Sequence, residues 1–186
     1  GNHEMQIHHS EFARYPDSIA KLHAIFEACD ALGVDVAPAP VCEGVFIVPL
    51  LSWYNPEFDE AEASEEDTAS GFDHRCKWPM DAEVQLWKYM LRLNEEHLRL
   101  PYYGTVLTFS HFLPRRDLPF DRSAKGFAKA VGCEQIEEQL RAVSSKLHVF
   151  GHSHRRYAKV HDGVRYVQMP VGAAGERADR DPRLMM

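Results

Sequence analysis

Two histidines two residues apart, His152 and His154, follow an apolar run, Leu147-His148-Val149-Phe150, and a glycine, Gly151. Neutral imidazole nitrogens bind borderline divalent metals and carry protons near neutral pH. In extended chain, side chains at i and i+2 share a face. The spacing therefore predicts that His152 and His154 converge just past a buried strand, with Gly151 easing the turn. The alternative is a pair of turn histidines with no ligand. Two other stretches offer matching chemistry. Gly1-Asn2-His3-Glu4 sets a carbonyl donor beside a proton donor in a tight loop. Ser110-His111 closes a β-branched, aromatic run that starts at Tyr102. His8, His9 and His23 read as loop or surface residues.

The elements that must position these groups follow from periodicity. Pro16-Asp17-Ser18 starts a helix, with Asp17 or Ser18 as its cap. Apolar residues recur at helical spacing from Ile19 to Leu32, and Gly33 ends the helix. Val34-Asp35-Val36 and the run from Val45 to Leu51 read as strands; the second is apolar throughout, as a strand covered on both faces would be. Residues 57–71 are acidic and rich in Ser, Ala and Thr, and read as a solvated loop. They lack the ligand spacing of a calcium loop. Asp81 caps a helix predicted over 82–99, closed by Pro101. Helical pattern returns over 122–143, broken near Gly132-Cys133. Asp162-Gly163, between Tyr157–His161 and Val164–Met169, is a two-residue hairpin signal. Arg115 and Arg116, after His111, read as a phosphate contact or a surface pair. Strands alternating with helices, each chemical stretch at a strand end, predict an α/β fold with one site on its loops.

Composition bounds the function. The chain has 186 residues, one domain's worth, and a net charge of −7. That charge argues against general nucleic-acid or acidic-membrane binding, because phosphate surfaces demand basic ones. A small phosphorylated substrate remains compatible, since bound cations reverse the sign locally. No apolar run reaches membrane-spanning length. The four cysteines, Cys29, Cys42, Cys76 and Cys133, form no C-x-x-C pair. They predict reduced, mostly buried thiols and a cytoplasmic location. The chain opens inside a motif, so it is read as the later part of a longer polypeptide; a targeting segment upstream stays open.

Gly1-Asn2-His3-Glu4, Ser110-His111 and Gly151-His152-Ser153-His154 together resemble, in order, the third, fourth and fifth motifs of the calcineurin-like metallophosphoesterases. Val48-Pro49-Leu50-Leu51-Ser52-Trp53-Tyr54, Cys76-Lys77-Trp78-Pro79 and Phe109 to Arg115 also resemble a subgroup of that family. The resemblance covers nearly the whole of residues 1–186, read as a single N-terminally truncated domain. It implies a four-layer α/β/β/α sandwich lacking its N-terminal strands, around two divalent metal ions (Mn, Fe or Zn). It further implies that Asn2, His111 and His152 bind one metal and that His154 contributes to the other. His3 would be the general acid and Glu4 would orient it. The family's D-x-H and G-D-x-x-D motifs, which precede Gly-Asn-His and supply the bridging carboxylate, do not occur here. The expected activity is hydrolysis of a phosphomonoester or phosphodiester in the full-length form, on a phosphorylated small molecule. The fragment alone is expected to be inactive. The rival readings are a non-catalytic scaffold of the same fold and a mononuclear zinc domain.

Overall fold

The computed structural model describes residues 1–58, 73–79, 85–122 and 128–171. The expected Asp81 cap and most of the acidic loop lie outside them. Among the described residues six strands form one sheet in the order β1-β2-β3-β4-β6-β5. These are β1 (Ala39–Cys42), β2 (Val45–Pro49), β3 (Thr105–Phe109), β4 (Leu147–Val149), β5 (Tyr157–His161) and β6 (Val164–Gln168). β2, β3, β4 and β6 run parallel, and β1 and β5 are antiparallel edges. Parallel neighbours need long crossovers. Here these carry α3 (Leu86–Arg92), α4 (Glu95–Arg99) and α5 (Gln135–Ala142). Ahead of the sheet stand α1 (Asn2–Met5) and α2 (Ser18–Ala31). The α/β expectation therefore holds.

Several local signals act as expected. Asp17 caps α2, accepting from the backbone of Ala20 at 2.8 Å, and Gly33 follows with φ +68°. Asp162 and Gly163 take φ +49° and +80°, the left-handed pair a tight hairpin requires. All four cysteines are free thiols, but against the expected burial only Cys133 is buried; Cys29 and Cys76 are half-buried and Cys42 is exposed.

Other expectations are corrected. Val34–Val36 is not a strand; the edge strand lies at Ala39–Cys42, where the Gly44 turn lets it pair with β2. Leu50 and Leu51 fall beyond β2. Pro56–Phe58 is a short 3-10 turn that buries Phe58, rather than solvated loop. The helix expected over 82–99 is two, α3 and α4, parted at Leu93-Asn94. Asn94, fully buried, accepts from the Leu51 amide at 2.8 Å and donates to the Leu51 carbonyl at 2.8 Å and to Gln139 at 2.7 Å. That clamp fixes the chain leaving β2. Asn94→Ala strips both partners from Leu51's backbone and is expected to cost about 3 kcal/mol. Urea unfolding of the purified variant measures it.

The sheet's two faces differ. Val48, Val106, Thr108, His148, Val164 and Tyr166 point to a face that is nearly fully buried, and the core joins it to Met90, Leu91, Ile136 and Leu140. On the opposite face Ile47, Leu107 and Leu147 align across three strands, as do Pro49, Phe109, Val149 and Val167 across four. There Phe109 is 46% and Val149 41% exposed.

Candidate metal centre

The four parallel strands end at one edge, and the loops leaving β3 and β4 are tied together there. Ser110 N donates to Val149 O at 3.0 Å, and Gly151 N donates to His111 O at 3.0 Å. The two loops therefore place His111 and His152 side by side. His111 Nε2 lies 3.1 Å from His152 Nδ1 and 2.9 Å from Asn2 Oδ1. Asn2 comes from α1 and is 3% exposed. Gly1 is required by this arrangement, because a Cβ there would lie 2.7 Å from the His111 ring.

Burial, with the neighbouring His152 second, pushes the His111 pKa down to about 3. Burial likewise takes His152 to about 4. Both rings are therefore neutral at physiological pH, the protonation state a metal ligand needs. Ligands about 2.1 Å from one ion stand about 3 Å apart, so the observed separations suit donors to a single cation. Among the described residues no group of three His, Cys, Asp or Glu side chains is gathered as a metal site. The third donor here is an amide oxygen. The set fits a borderline divalent cation in donor type, and it contains no carboxylate to neutralise a second one.

The β4 loop is not extended. His152 and His154 have φ of +65° and +53°, a conformation non-glycine residues adopt at some cost. The shared-face argument for their convergence is thereby overturned. His152 turns inward to His111, while His154 is exposed. Both still line one cleft of about 530 Å³ with His3, Gly151, Gln168 and Met169. Gln168, 1% exposed on β6, holds the turn by donating to Ser153 Oγ at 2.8 Å and to Arg155 O at 2.7 Å. His3 and Glu4 are both exposed, and His3 lines the cleft.

Arg115 is committed elsewhere. It bonds Asp117 at 2.8 Å, Asp162 at 3.1 Å and Glu137 at 3.3 Å, so three carboxylates occupy the guanidinium offered to phosphate. Arg116 Nε pairs with Glu134 at 2.8 Å.

Two supporting residues escaped sequence reasoning. Asp73, 8% exposed, accepts from Asn2 Nδ2 at 3.1 Å. Burial pushes its carboxyl above the usual range, against hydrogen bonds from Asn2, Tyr54 and Gln6. Its place beside the acidic, low-complexity stretch hid it. His148, fully buried, bonds Thr108 Oγ1 through Nδ1 at 2.8 Å and Ser110 Oγ through Nε2 at 3.1 Å. Ser110 donates its one proton to Phe112 O, so it accepts from His148, which places the ring proton on Nε2. The alternation of Thr108, Ser110 and His148 on inward strand positions was the available signal.

No family model matches the chain, and no curated protein matches it. A search of solved structures finds the crystal structure of phosphopantetheinyl hydrolase from Mycobacterium tuberculosis, with a TM-score of 0.74 and 22% identity over 98% of this chain and 71% of that one. At that identity the likeness establishes the α/β fold. A second solved structure, at a TM-score of 0.41 and 18% identity over 80% of this chain and 51% of its own, is too remote to carry an argument. No helix among the described residues is long and apolar enough to cross a membrane.

Proposed function

We propose that the protein, in its full-length form, is a metal-dependent phosphoesterase of the calcineurin-like type, acting on a phosphomonoester or phosphodiester. The observation that carries this reading is the meeting of Asn2 Oδ1, His111 Nε2 and His152 Nδ1 at the carboxyl edge of the sheet. The structural neighbour is named as a hydrolase, which is consistent with it. The apolar, half-open sheet face supports the four-layer arrangement: a second sheet laid there would bury Phe109 and Val149, and its loops would bring the carboxylates this site lacks.

Asn2, His111 and His152 would hold one cation, and His154 would serve a second. Bound divalent cations supply charge neutralisation at phosphoryl oxygens and an activated water. The remaining work belongs to the chain. His3, exposed in the cleft that holds His152 and His154, donates a proton to the departing alkoxide. The half-buried imidazoles stay neutral, and the tied β3 and β4 loops hold them in register. The phosphorylated substrate enters from the open side of the cleft.

The test is hydrolysis of an aryl phosphate and a bis-aryl phosphate ester by the full-length protein with Mn²⁺ or Zn²⁺. Cation-dependent turnover of either ester supports the reading, and none with either cation overturns it. A second reading, one ion only, is favoured by the donor set itself, Asn2, His111 and His152, which holds no carboxylate to neutralise a second cation. The metal stoichiometry of the purified protein separates one from two.

A further inference from the structure

An asparagine amide can present its oxygen or its nitrogen in the same place by a half-turn of χ2, a soft torsion. Only the oxygen has a lone pair for a cation. At Asn2 something must choose. Its Nδ2 donates to Asp73 Oδ1 at 3.1 Å, and its Oδ1 faces His111 Nε2 at 2.9 Å. The Asp73 oxygen already accepts from Nδ2 there, so the flipped amide would exchange that bond for one oxygen facing another.

Asp73 is itself held. Ser18 and Lys77 exchange backbone and side-chain bonds, with Ser18 N to Lys77 O at 2.7 Å and Lys77 N to Ser18 Oγ at 2.9 Å. Ile7 N donates to Arg75 O at 3.0 Å, and Ser18 Oγ donates to Met5 O at 2.7 Å. Residues 73–77 are thereby pinned to α1 and to the start of α2. Their distance in sequence, 71 residues from Asn2 to Asp73, is closed by these contacts as well as by the Asn2–Asp73 bond.

We infer that Asp73 is a positioning residue that fixes the Asn2 amide with its oxygen toward His111 and His152. Its consequence for cation binding rests on the proposed metal centre; its effect on the amide does not. Partners of this kind change metal affinity by about 10–100-fold when removed.

The test uses full-length protein in which asparagine is labelled with ¹⁵N, Asn2→Asp identifying the Asn2 side-chain signals. In metal-free wild type, the two Asn2 amide protons are expected to be slow to exchange and inequivalent. Asp73→Ala should speed their exchange at least tenfold and weaken Mn²⁺ binding, measured by calorimetry, by about a hundredfold. Asp73→Asn preserves size and one acceptor, and should restore most of the protection while leaving binding about tenfold weak. Should Asp73→Ala fail to fold, Asp73→Leu, which keeps the bulk and removes every acceptor, decides in its place. Unchanged Asn2 signals in the alanine or leucine variant overturn the assignment, even if Mn²⁺ binds normally. If the signals respond and wild type takes up neither Mn²⁺ nor Zn²⁺, Asp73 keeps its role and the metal centre falls.

Discussion

His152→Ala is expected to lower cation-dependent phosphoester hydrolysis by about a thousandfold or more. The His152 ring supplies one of three donor atoms at the strand edge and lies against Phe112, with centroids 4.7 Å apart. Its removal leaves His111 and Asn2 as a two-donor remnant without the geometry to hold an ion. Because His152 sits on a loop, the fold should survive, and circular dichroism and a melt check that it has. His23→Ala, on the exposed side of α2, should leave turnover unaltered. His3→Ala should behave differently again. A general acid matters most when the leaving group is poor, so its loss should slow an alkyl phosphate far more than a nitrophenyl phosphate. Equal turnover by wild type and His152→Ala would remove the centre from the mechanism.

The second large effect is acid lability. His148 is wholly buried, and burial pushes its pKa from the ordinary 6.5 down to about 3. The unfolded chain therefore takes up a proton at this site below about pH 6.5, while the folded chain refuses one until about pH 3. Stability from this residue is complete above the unfolded value and falls as pH drops between the two. By pH 4.5 the loss should reach about 2–3 kcal/mol. His111 and His152 shift the same way and add to it. Urea unfolding at pH 7.0, 5.5 and 4.5, in chelator, measures the slope. His148→Gln should be less stable at pH 7 and shallower in slope. A wild-type stability independent of pH over that range would contradict the buried neutral imidazole.

What sequence revealed depended on how local its cause was. The α2 cap at Asp17, the stop at Gly33 and the Asp162-Gly163 turn need only neighbouring residues, and they are where periodicity and turn chemistry put them. The break between α3 and α4 was hidden, because Asn94 leaves the helix to serve Leu51, 43 residues earlier in the chain. The edge strand at Ala39–Cys42 was misplaced for a similar reason. Val34–Val36 has the stronger β composition, yet it is the Gly44 turn that brings partners within reach. At the site, residue types announced Asn2, His111 and His152. Neither the left-handed backbone that turns His152 inward nor the carboxylate at Asp73 has a local sign.

That left-handed backbone at His152 and His154 bears on how this protein responds to selection. Glycine adopts such φ values freely, whereas a β-carbon there costs about 1 kcal/mol per residue. The native loop thus keeps two unfavourable conformations at positions where glycine would sit without strain. Under pressure for heat resistance without pressure for chemistry, His152→Gly and His154→Gly are accessible gains. A thermostabilised lineage chosen on melting temperature would drift toward silence at this loop, so engineering for endurance has to hold both positions fixed.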